Sequence, residues 1–313
     1  MSNYLVTGAA GFIGSILAKK LIDAGNNVVT IDNSSTGKKE NIPSGCKFIY
    51  GNTFDKEVIN QLNNYKFDAI FHIAGQSSGE VSFDNPVYDL ETNAASTLLL
   101  LEFAKKNNIK NFIYASSMST YGDHKEELVD EESKQDPKSF YAVGKLASEK
   151  YMKIYSQFGI RCTALRFFNV YGIGQNMDNL RQGMASIFLA MAINSKHIIV
   201  KGSKDRFRDF VYVDDVVDAC IKCLNLNQEN LYDYFNISCQ RKITVEYIIK
   251  TIQNKIKNVT VEYIDGTPGD QFGIYGQNEK ALNILGWVPK INFEDGMNMF
   301  IDYEYNKNNK EEK

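Results

Sequence analysis

A tyrosine and a lysine stand four residues apart, at Tyr141 and Lys145, in the segment SFYAVGKLASEKY. In a helix, this spacing puts both side chains on one face. An ammonium beside a phenol favours the phenolate and lowers the pKa of the tyrosine, which would make Tyr141 a general base. The alternative is structural, because a tyrosine ring also packs well on the aliphatic stem of a lysine. The rest of the chain has to decide between them.

A glycine-rich turn lies near the start of the chain, in VTGAAGFIG, between an apolar run and a helical pattern. Gly8, Gly11 and Gly14 are spaced G-x-x-G-x-x-G, which permits a tight turn and lets a pyrophosphate approach N–H groups at a helix start. Asp32 ends the next apolar run, 18 residues after Gly14. Its carboxylate is placed to bind a ribose diol and to repel a 2′-phosphate. The pattern predicts NAD rather than NADP; a turn with a solvated aspartate is the structural alternative.

A run of serines, ASSMSTYG at 115–122, ends the apolar segment NFIYASS. A nicotinamide implies hydride transfer at a carbon that bears oxygen, and the proton of that oxygen then needs a base nearby. Open α/β sheets bind ligands at the carboxyl ends of their strands, so a serine there can donate a hydrogen bond to the same oxygen. Together with the glycine turn, the serines favour the catalytic interpretation of Tyr141 and Lys145.

The elements that must position these residues alternate in the first half of the chain. The apolar runs are NYLVTG, NVVTID, CKFIYG, FDAIFHIAG, NFIYASS and RCTALRFFNV. Strands that are apolar throughout and alternate with helices are typical of a parallel sheet covered on both faces. The sequence therefore predicts an α/β fold with a doubly wound (Rossmann) sheet.

A smaller α+β lobe is predicted after about residue 170, where this rhythm ends. We assign 1–169 to the dinucleotide-binding domain, with late elements near 209–240 returning to it. Residues 170–208 and 241–305 form the smaller substrate lobe, and 306–313 are expected to be a disordered tail. Because no low-complexity linker separates the lobes, we expect them to pack tightly.

Composition excludes several classes of function. The 313 residues carry a net charge of −3, so neither nucleic acid nor an anionic membrane is an expected partner. No apolar run is long enough to span a membrane, and the start lacks the features of a signal peptide. Five scattered cysteines fit reduced thiols in the cytoplasm. Cys220 and Cys223 form a CxxC inside a predicted helix, without a second pair to complete a zinc site, so we expect no metal.

Seven motifs together carry a family resemblance. They are TGAAGFIG, IDNSSTGKKENI, HIAGQ, SSMSTYG, YAVGK, RFFNVYG and RDFVYVDDVV. From residue 4 to about 300, the chain resembles the extended short-chain dehydrogenase/reductases, and among them the NAD-dependent nucleotide-sugar epimerases of the UDP-glucose 4-epimerase type. The motifs are specific for the superfamily and less so for the reaction.

The resemblance implies a role for each matching residue. Tyr141 would be the base, Lys145 its electrostatic partner and a ribose ligand, and Ser117 the second hydroxyl on the sugar. The implied cofactor-binding residues are Gly8, Gly11, Phe12, Ile13, Gly14, Asp32, Asn33, Asn52, Ala74, Gln76, Asn93, Tyr141, Lys145 and Phe168. The implied substrate-binding residues are Ser117, Asn169, Arg181, Arg208 and Asp270.

For the two arginines in this set, a purely structural role is an alternative to phosphate binding. Arg208, in RFRDF, resembles the family's phosphate-binding arginine, but it could equally form a salt bridge with Asp209 or Asp214. Arg181, in NLRQG, is a candidate for a second phosphate contact or a solvated loop residue.

The chain departs from the family pattern near the nucleotide. Asn52 stands where an aspartate usually contacts the adenine amine, and its carbonyl can still accept that hydrogen bond. Thr267 stands near the place of a phosphate-binding arginine, and Gln277 replaces a usual aspartate. One phosphate contact must therefore be missing or come from elsewhere.

A further departure follows the catalytic serine. The family's dehydratases and decarboxylases carry acidic residues there, whereas this chain has Met118 and Ser119. Eliminating water needs an acid and a base near the reacting carbons, so the segment argues against dehydration. Glu80 is the nearby carboxylate that could replace them, although an exposed loop acid is the simpler interpretation.

The resemblance implies epimerisation of a nucleotide-diphosphate sugar, a UDP-sugar above others, at C4 through a transient 4-keto sugar. A 4-keto-sugar reductase is the nearest alternative. A non-catalytic dinucleotide-binding regulator is an alternative of another class, because fold does not fix function. By analogy with the family, we expect a homodimer formed through the helix of Tyr141 and the helix before it.

Overall fold

The computed structural model of the chain describes residues 1–124, 128–181, 183–227, 229–266 and 272–311. The strands are β1 Asn3–Thr7, β2 Asn27–Asp32, β3 Lys47–Tyr50, β4 Ala69–His72, β5 Asn111–Ser117, β6 Leu128–Val129, β7 Arg161–Phe167, β8 Asn169–Tyr171, β9 His197–Lys201, β10 Phe207–Arg208, β11 Phe210–Tyr212, β12 Tyr232–Ile237, β13 Ile243–Thr244, β14 Thr260–Ile264 and β15 Tyr275–Gly276. The helices are α1 Phe12–Asp23, α2 Lys56–Gln61, α3 Gly79–Asp84, α4 Pro86–Leu90, α5 Ser96–Lys106, α6 Phe140–Ser156, α7 Met184–Asn194, α8 Val213–Lys222, α9 Val245–Lys255 and α10 Phe293–Glu311. A π-helical turn, Glu91–Ala95, joins α4 to α5, and another spans Ala281–Leu285.

A parallel sheet of seven strands, in the order β12-β7-β5-β4-β1-β2-β3, organises the described chain. Its strands are buried on both faces: in β1, Val6 belongs to one apolar cluster and Leu5 to another. Helices cover both faces, with α1 beside α8 on one and α2, α5 and α6 on the other. The predicted doubly wound α/β fold is confirmed.

The smaller lobe is built from short paired strands and the late helices. In it, β9 pairs with β14 in parallel and β10 pairs with β13 in antiparallel fashion. The strand β12 lies beside β7 in the main sheet. The finer division of the chain into 1–169, 170–208 and 241–305 stays a prediction.

One apolar cluster joins the lobes. It includes Leu17 of α1 and Leu165 of β7 together with Leu189 of α7, Ile248 of α9 and Phe300 of α10. Burial of this continuous apolar surface is the main force holding the lobes together. At the chain end, the disordered tail expected for 306–313 differs from the structure, because α10 continues through Glu311; 312 and 313 lie outside the described residues.

Within the described ranges, every helix falls short of a membrane span in length or apolar character. The side chains described there also form no group of three or more His, Cys, Asp or Glu residues that could hold a metal ion.

Candidate active site

A cleft of about 1040 Å³ opens at the carboxyl ends of the central strands, between the main sheet and the smaller lobe. The order of the sheet reverses at β1, which lies between β2 and β4. Such a switch point is where open α/β sheets bind ligands. The cleft brings together the glycine turn, the serines after β5 and the start of α6.

The glycine turn holds α1 unusually close to the sheet. Gly8 has a φ of +82°, and a Cβ there would stand 2.9 Å from the backbone nitrogen of Ala74. A Cβ on Gly14 would stand 2.1 Å from the carbonyl oxygen of Gly8. Phe12 begins α1, and both it and Ile13 line the cleft. The first N–H groups of a helix lack intrahelical partners, so this cradle, which larger residues would fill, fits a pyrophosphate.

Asp32 is fixed at the edge of the cradle. One carboxylate oxygen accepts a hydrogen bond from the N–H of Ala10 at 2.9 Å, and the other accepts from Ser34 at 2.7 Å. Next to it, the amide nitrogen of Asn33 donates to the side-chain oxygen of Asn52 at 2.8 Å. The three predicted adenosine-side residues therefore lie together, and the Asn52 acceptor is shared with Asn33.

Removing the charge of Asp32 should alter cofactor preference. In Asp32→Asn, we expect NAD to bind about tenfold more weakly, because a charge-assisted hydrogen bond to the ribose is lost. The affinity for NADP should change less or rise, because the repulsion of its 2′-phosphate is removed. Fluorescence titration of the protein with each dinucleotide measures both constants. An unchanged ratio of the two affinities would contradict the assignment.

The loop after β4, which lines the cleft beside the cradle, is hydrogen-bonded to α4 and to the π-helical turn that follows it. Gln76 lines the cleft, and its amide nitrogen donates to Ser78 O at 2.7 Å and to a carboxylate oxygen of Asp89 at 2.8 Å. Asn93 donates to Gln76 O at 3.0 Å and to Asp89 at 3.2 Å. Asn93 therefore lies beneath this loop, as a residue that steadies it.

Tyr141 and Lys145 lie on one face of α6, as the spacing predicts. The helix begins at Phe140, and Ser139 caps it by accepting a hydrogen bond from Ala142 N. The Lys145 Nζ lies 5.7 Å from the centre of the Tyr141 ring and donates to Ala115 O of β5 at 2.8 Å. Tyr141 lines the cleft beside the serine run.

The expected fall in the pKa of the tyrosine does not occur in the protein alone. Burial raises the pKa of Tyr141 to about 12, while the neighbouring Ser117 hydroxyl lowers it and the charge of Asp89 raises it. Burial also lowers the pKa of Lys145 to about 8, against the raising effect of Asp89. In the protein alone, removal from water outweighs the neighbouring ammonium, which is bound to the Ala115 carbonyl. The predicted fall in pKa depends on a cationic nicotinamide as well as on the ammonium, so for the protein with its cofactor it stays a prediction.

Ser117 ends β5 and is held by a residue that the sequence analysis treated only as a missing acid. The Ser119 hydroxyl donates to the Ser117 Oγ at 2.9 Å, and the Ser119 N–H lies 3.2 Å from the same atom. Ser119 thus orients Ser117. Serine two residues after a strand end is a common local hydrogen-bonding motif, which is the signal that could have identified it.

Phe168 and Asn169 lie between the two lobes and line the cleft. Phe168 is buried against Gly276, where a Cβ would stand 2.4 Å from its ring. The amide nitrogen of Asn169 donates to Asp209 O at 3.2 Å and lies 3.7 Å from the Met118 sulfur. Both predicted residues are therefore next to the serine run.

The two arginines lie outside the set of described residues that line the cleft. Arg208 is buried and donates to Phe207 O at 2.8 Å and to Phe272 O at 3.2 Å, and burial lowers its pKa to about 10. Arg181 forms exposed salt bridges with Asp84 at 2.8 Å and Glu80 at 3.3 Å. The salt-bridge contacts favour the structural alternative for Arg181. Asp270 and Thr267 lie outside the described residues.

Asp89 was missed by the sequence analysis, although it is nearly fully buried beside the predicted site. The available signal was its position four residues before Asn93, which puts both on one helical face. Without a partner in the sequence, a lone aspartate in such a helix is indistinguishable from a solvated one.

Comparisons with known proteins agree with this geometry. The model of the "NAD dependent epimerase/dehydratase family" matches residues 4–238. A putative UDP-glucose 4-epimerase of Methanocaldococcus jannaschii is 34% identical over 97% of this chain and 99% of its own. The structure of the Thermotoga maritima UDP-glucose 4-epimerase with UDP-glucose superposes with a TM-score of 0.92 at 32% identity, covering 98% and 99% of the two chains. A UDP-N-acetylglucosamine 4-epimerase of Methanobrevibacter ruminantium gives 0.91 at 28% identity, with the same coverage.

Proposed function

Because the chain belongs to the NAD-dependent epimerase/dehydratase family, we propose that it epimerises a UDP-sugar at C4 through a transient 4-keto sugar. The observation that carries the proposal is the meeting of Ser117, Tyr141 and Lys145 with the glycine cradle in one cleft. The UDP-sugars named for the relatives of known structure support the choice of nucleotide.

The residues of the cradle fit NAD. The turn of Gly8, Gly11 and Gly14 would hold the pyrophosphate, and Asp32 with Asn33 would hold the adenosine ribose. When bound, NAD supplies a hydride acceptor that can return the hydride to the same carbon. Because the hydride returns, the reaction consumes no external reductant.

The chain's own residues move the proton. Tyr141 would accept the C4 hydroxyl proton on its phenol oxygen, and Ser117 would hold the same sugar oxygen by a hydrogen bond. Since burial raises the pKa of Tyr141 to about 12, the phenolate needs positive charge close by, and Lys145 provides it in the structure. Ser119 fixes the direction of the Ser117 hydroxyl.

Epimerisation is favoured over dehydration by the side chains after β5. Met118 and Ser119 follow Ser117 without a carboxylate. Glu80, the other candidate acid, is exposed and paired with Arg181 at 3.3 Å. Neither of the two positions after Ser117 therefore offers an acid to protonate a departing hydroxyl.

The nucleotide would be anchored from the smaller lobe. We assign the phosphate contact to Arg208, whose guanidinium is held by backbone carbonyls, and the sugar contact to Asn169. Asp270 remains a further candidate. An anchored diphosphate leaves the sugar free to turn over between hydride removal and return.

The test is incubation of the purified protein with UDP-glucose, UDP-N-acetylglucosamine, and GDP- and CDP-sugars without added reductant. We expect the C4 epimer of a UDP-sugar, detected by chromatography or NMR. A product that forms only with added NADPH would instead identify a 4-keto-sugar reductase. Loss of water from the sugar would identify a dehydratase.

We further propose a homodimer formed by α3, α4 and α6. Apolar side chains are exposed on these adjacent helices, and Phe83 and Phe140 have their ring centres 5.5 Å apart. The Phe83 and Phe140 rings meet edge to face, with an angle of 71° between their planes. Val87, Leu90 and Val143 are exposed as well. A second copy would cover this apolar surface.

Light scattering should give twice the chain mass of 35.4 kDa. We expect Val143→Asp to halve the measured mass, because a charge would be buried at the proposed interface. Val288→Asp, at an exposed apolar residue outside these helices, is the control. If the wild-type protein is a monomer, the proposed homodimer is wrong.

We also propose a cytoplasmic location and a role in carbohydrate biosynthesis. All five cysteines lie in the described ranges and are free thiols. Free thiols persist in a reducing compartment.

A further inference from the structure

A carboxylate that the mechanism does not use is buried beside the catalytic helix. Asp89 of α4 is 1% exposed. One of its oxygens accepts the hydrogen bonds from Gln76 and Asn93, at 2.8 and 3.2 Å. The other, Oδ2, is buried and has no hydrogen-bond partner among the described residues. Such an oxygen is costly to bury and calls for a structural or functional explanation.

The carboxylate faces α6 at the residue before Lys145. A Cβ on Gly144 would stand 3.5 Å from Asp89 Oδ2 and 3.1 Å from Asn93 Cβ. The glycine therefore lets α6 approach α4 closely. On the same helix, Lys145 is buried, with 3% of its surface exposed.

We propose that Asp89 is a positioning residue of the active site: it is the buried counter-charge of Lys145, and the hydrogen bonds that it accepts hold the Gln76 loop on α4. The inference rests on the proposed roles of Tyr141 and Lys145. Asp89 acts on the reaction through Lys145 rather than by contact with the sugar.

The other groups that face Lys145 carry no negative charge. From β5, the Tyr114 ring lies 4.8 Å from Nζ, and burial raises the pKa of its phenol so that it stays neutral. From β4, His72 is neutral because burial and, to a smaller extent, the charge of Lys145 lower its pKa to about 3. From α6 itself, Tyr141 is neutral until it acts as base. Asp89 is thus the anion that raises the pKa of Lys145 within the described chain.

Burial raises the pKa of Asp89 above its ordinary value, and this is the largest effect on the carboxyl. The hydrogen bonds from Gln76 and Asn93 and the charge of Lys145 act in the opposite direction and favour the carboxylate. A buried lysine and a buried aspartate therefore stabilise each other's charges.

The charge of Asp89 determines the pH range in which activity should change. Lys145 is charged below its pKa of about 8 and neutral above it. Removing the charge of Asp89 removes the effect that raises this pKa, so the ammonium is lost at a lower pH. Because Tyr141 needs the ammonium, activity at alkaline pH should fall first.

The test compares Asp89→Asn with the full-length wild-type enzyme. We expect the alkaline limb of the kcat–pH profile to move down by about one pH unit, so that kcat falls about fivefold at pH 8 and about tenfold at pH 9, and changes little at pH 6. Asp89→Glu, which keeps the charge, should restore the limb. Asp302→Asn, at an exposed salt bridge with Lys255, is the matched control and should leave the profile unchanged. An equal loss at every pH, or no loss, would overturn the proposal.

A second measurement does not depend on turnover. In ¹³C NMR of labelled lysines, the Lys145 signal is identified by its absence in Lys145→Met. It should titrate near 8 in the wild type and about one unit lower in Asp89→Asn. The same pKa in both proteins would refute the role of the charge.

Folding provides another discriminating outcome. If Asp89→Asn does not fold, the double variant Asp89→Asn/Lys145→Met should fold, because it buries no lone charge. Failure of the double variant as well would mean that the carboxylate serves packing alone, which overturns the inference. If Tyr141→Phe retains turnover, the proposed catalytic roles of Tyr141 and Lys145 are wrong, and the role of Asp89 is wrong with them. If Tyr141→Phe is inactive but the Asp89 variants behave like the wild type, only the role of Asp89 is wrong.

Discussion

Replacing Tyr141 by phenylalanine is expected to lower kcat by about 10²–10⁴-fold, the usual contribution of a positioned general base. The phenylalanine keeps the ring that packs at the start of α6 and removes only the oxygen that would accept the C4 hydroxyl proton. The glycine cradle is untouched, so NAD should remain bound. Epimer formation measures turnover, and mass spectrometry of the denatured protein measures retained cofactor.

The matched control is Tyr151→Phe, the same change on the same helix at a ring that packs against the apolar cluster of β1, β4 and β5. It should leave kcat within about threefold of the wild type, as is usual for a change away from the reacting atoms. If Tyr141→Phe retained more than about a tenth of the wild-type rate, Tyr141 would not be the base. Loss of both turnover and NAD would indicate damage to the cleft instead.

The change Glu149→Gln is expected to lower the free energy of unfolding by about 3–5 kcal/mol, because it leaves a buried guanidinium without its counter-ion. The Arg166 and Glu149 side chains are 2% and 0% exposed and joined by two hydrogen bonds, at 2.8 and 3.0 Å. Burial opposes the charge of Arg166, but Glu149 and Tyr121 outweigh it and raise its pKa. Urea unfolding, with the slope held common to both proteins, measures the loss.

An exposed salt bridge provides the control. Lys19 and Asp23 are paired at 2.7 Å with side chains 65% and 59% exposed. Asp23→Asn should cost less than about 0.5 kcal/mol, because solvent screens such pairs. If Asp23→Asn and Glu149→Gln lowered the free energy of unfolding equally, burial of the Arg166–Glu149 pair would not be the cause of the loss.

The buried pair also supports the strand that carries Ser117, the serine proposed to bind the sugar. Ser116 donates to Glu149 at 2.6 Å, and Ser117 follows it in β5. Glu149→Gln should therefore affect the orientation of Ser117 as well as stability.

The fold could be predicted from the sequence because two independent signals identify its strands. Each is apolar on both faces, and each alternates with a helical pattern, which requires a parallel sheet. The position of Gly14 was equally predictable, since only glycine fits where a Cβ would meet the Gly8 carbonyl. The only sequence signal for the addition of β12 to the sheet edge was the end of the regular alternation of apolar runs and helical patterns. The boundaries of β12 depend on tertiary packing.

The electrostatics of the site were less predictable. Spacing placed Tyr141 beside Lys145 but gave no information on how deeply α6 buries them, and in the protein alone burial reverses the expected direction of the Tyr141 pKa. Spacing also could not show that Arg181 would meet Asp84, because the two residues are far apart in the chain. Asp89 and Ser119 were missed for the same reason: their importance comes from what lies opposite them in space.

The apolar cluster that runs from α1 and β7 into α7, α9 and α10 has a consequence for motion. A hinge between the lobes would have to expose this shared interior to water at every opening, at a cost comparable with that of unfolding. The protein should accordingly melt as a single calorimetric unit. Entry and exit of a sugar nucleotide then fall to surface loops around the cleft mouth, while the two halves of the molecule keep their mutual orientation.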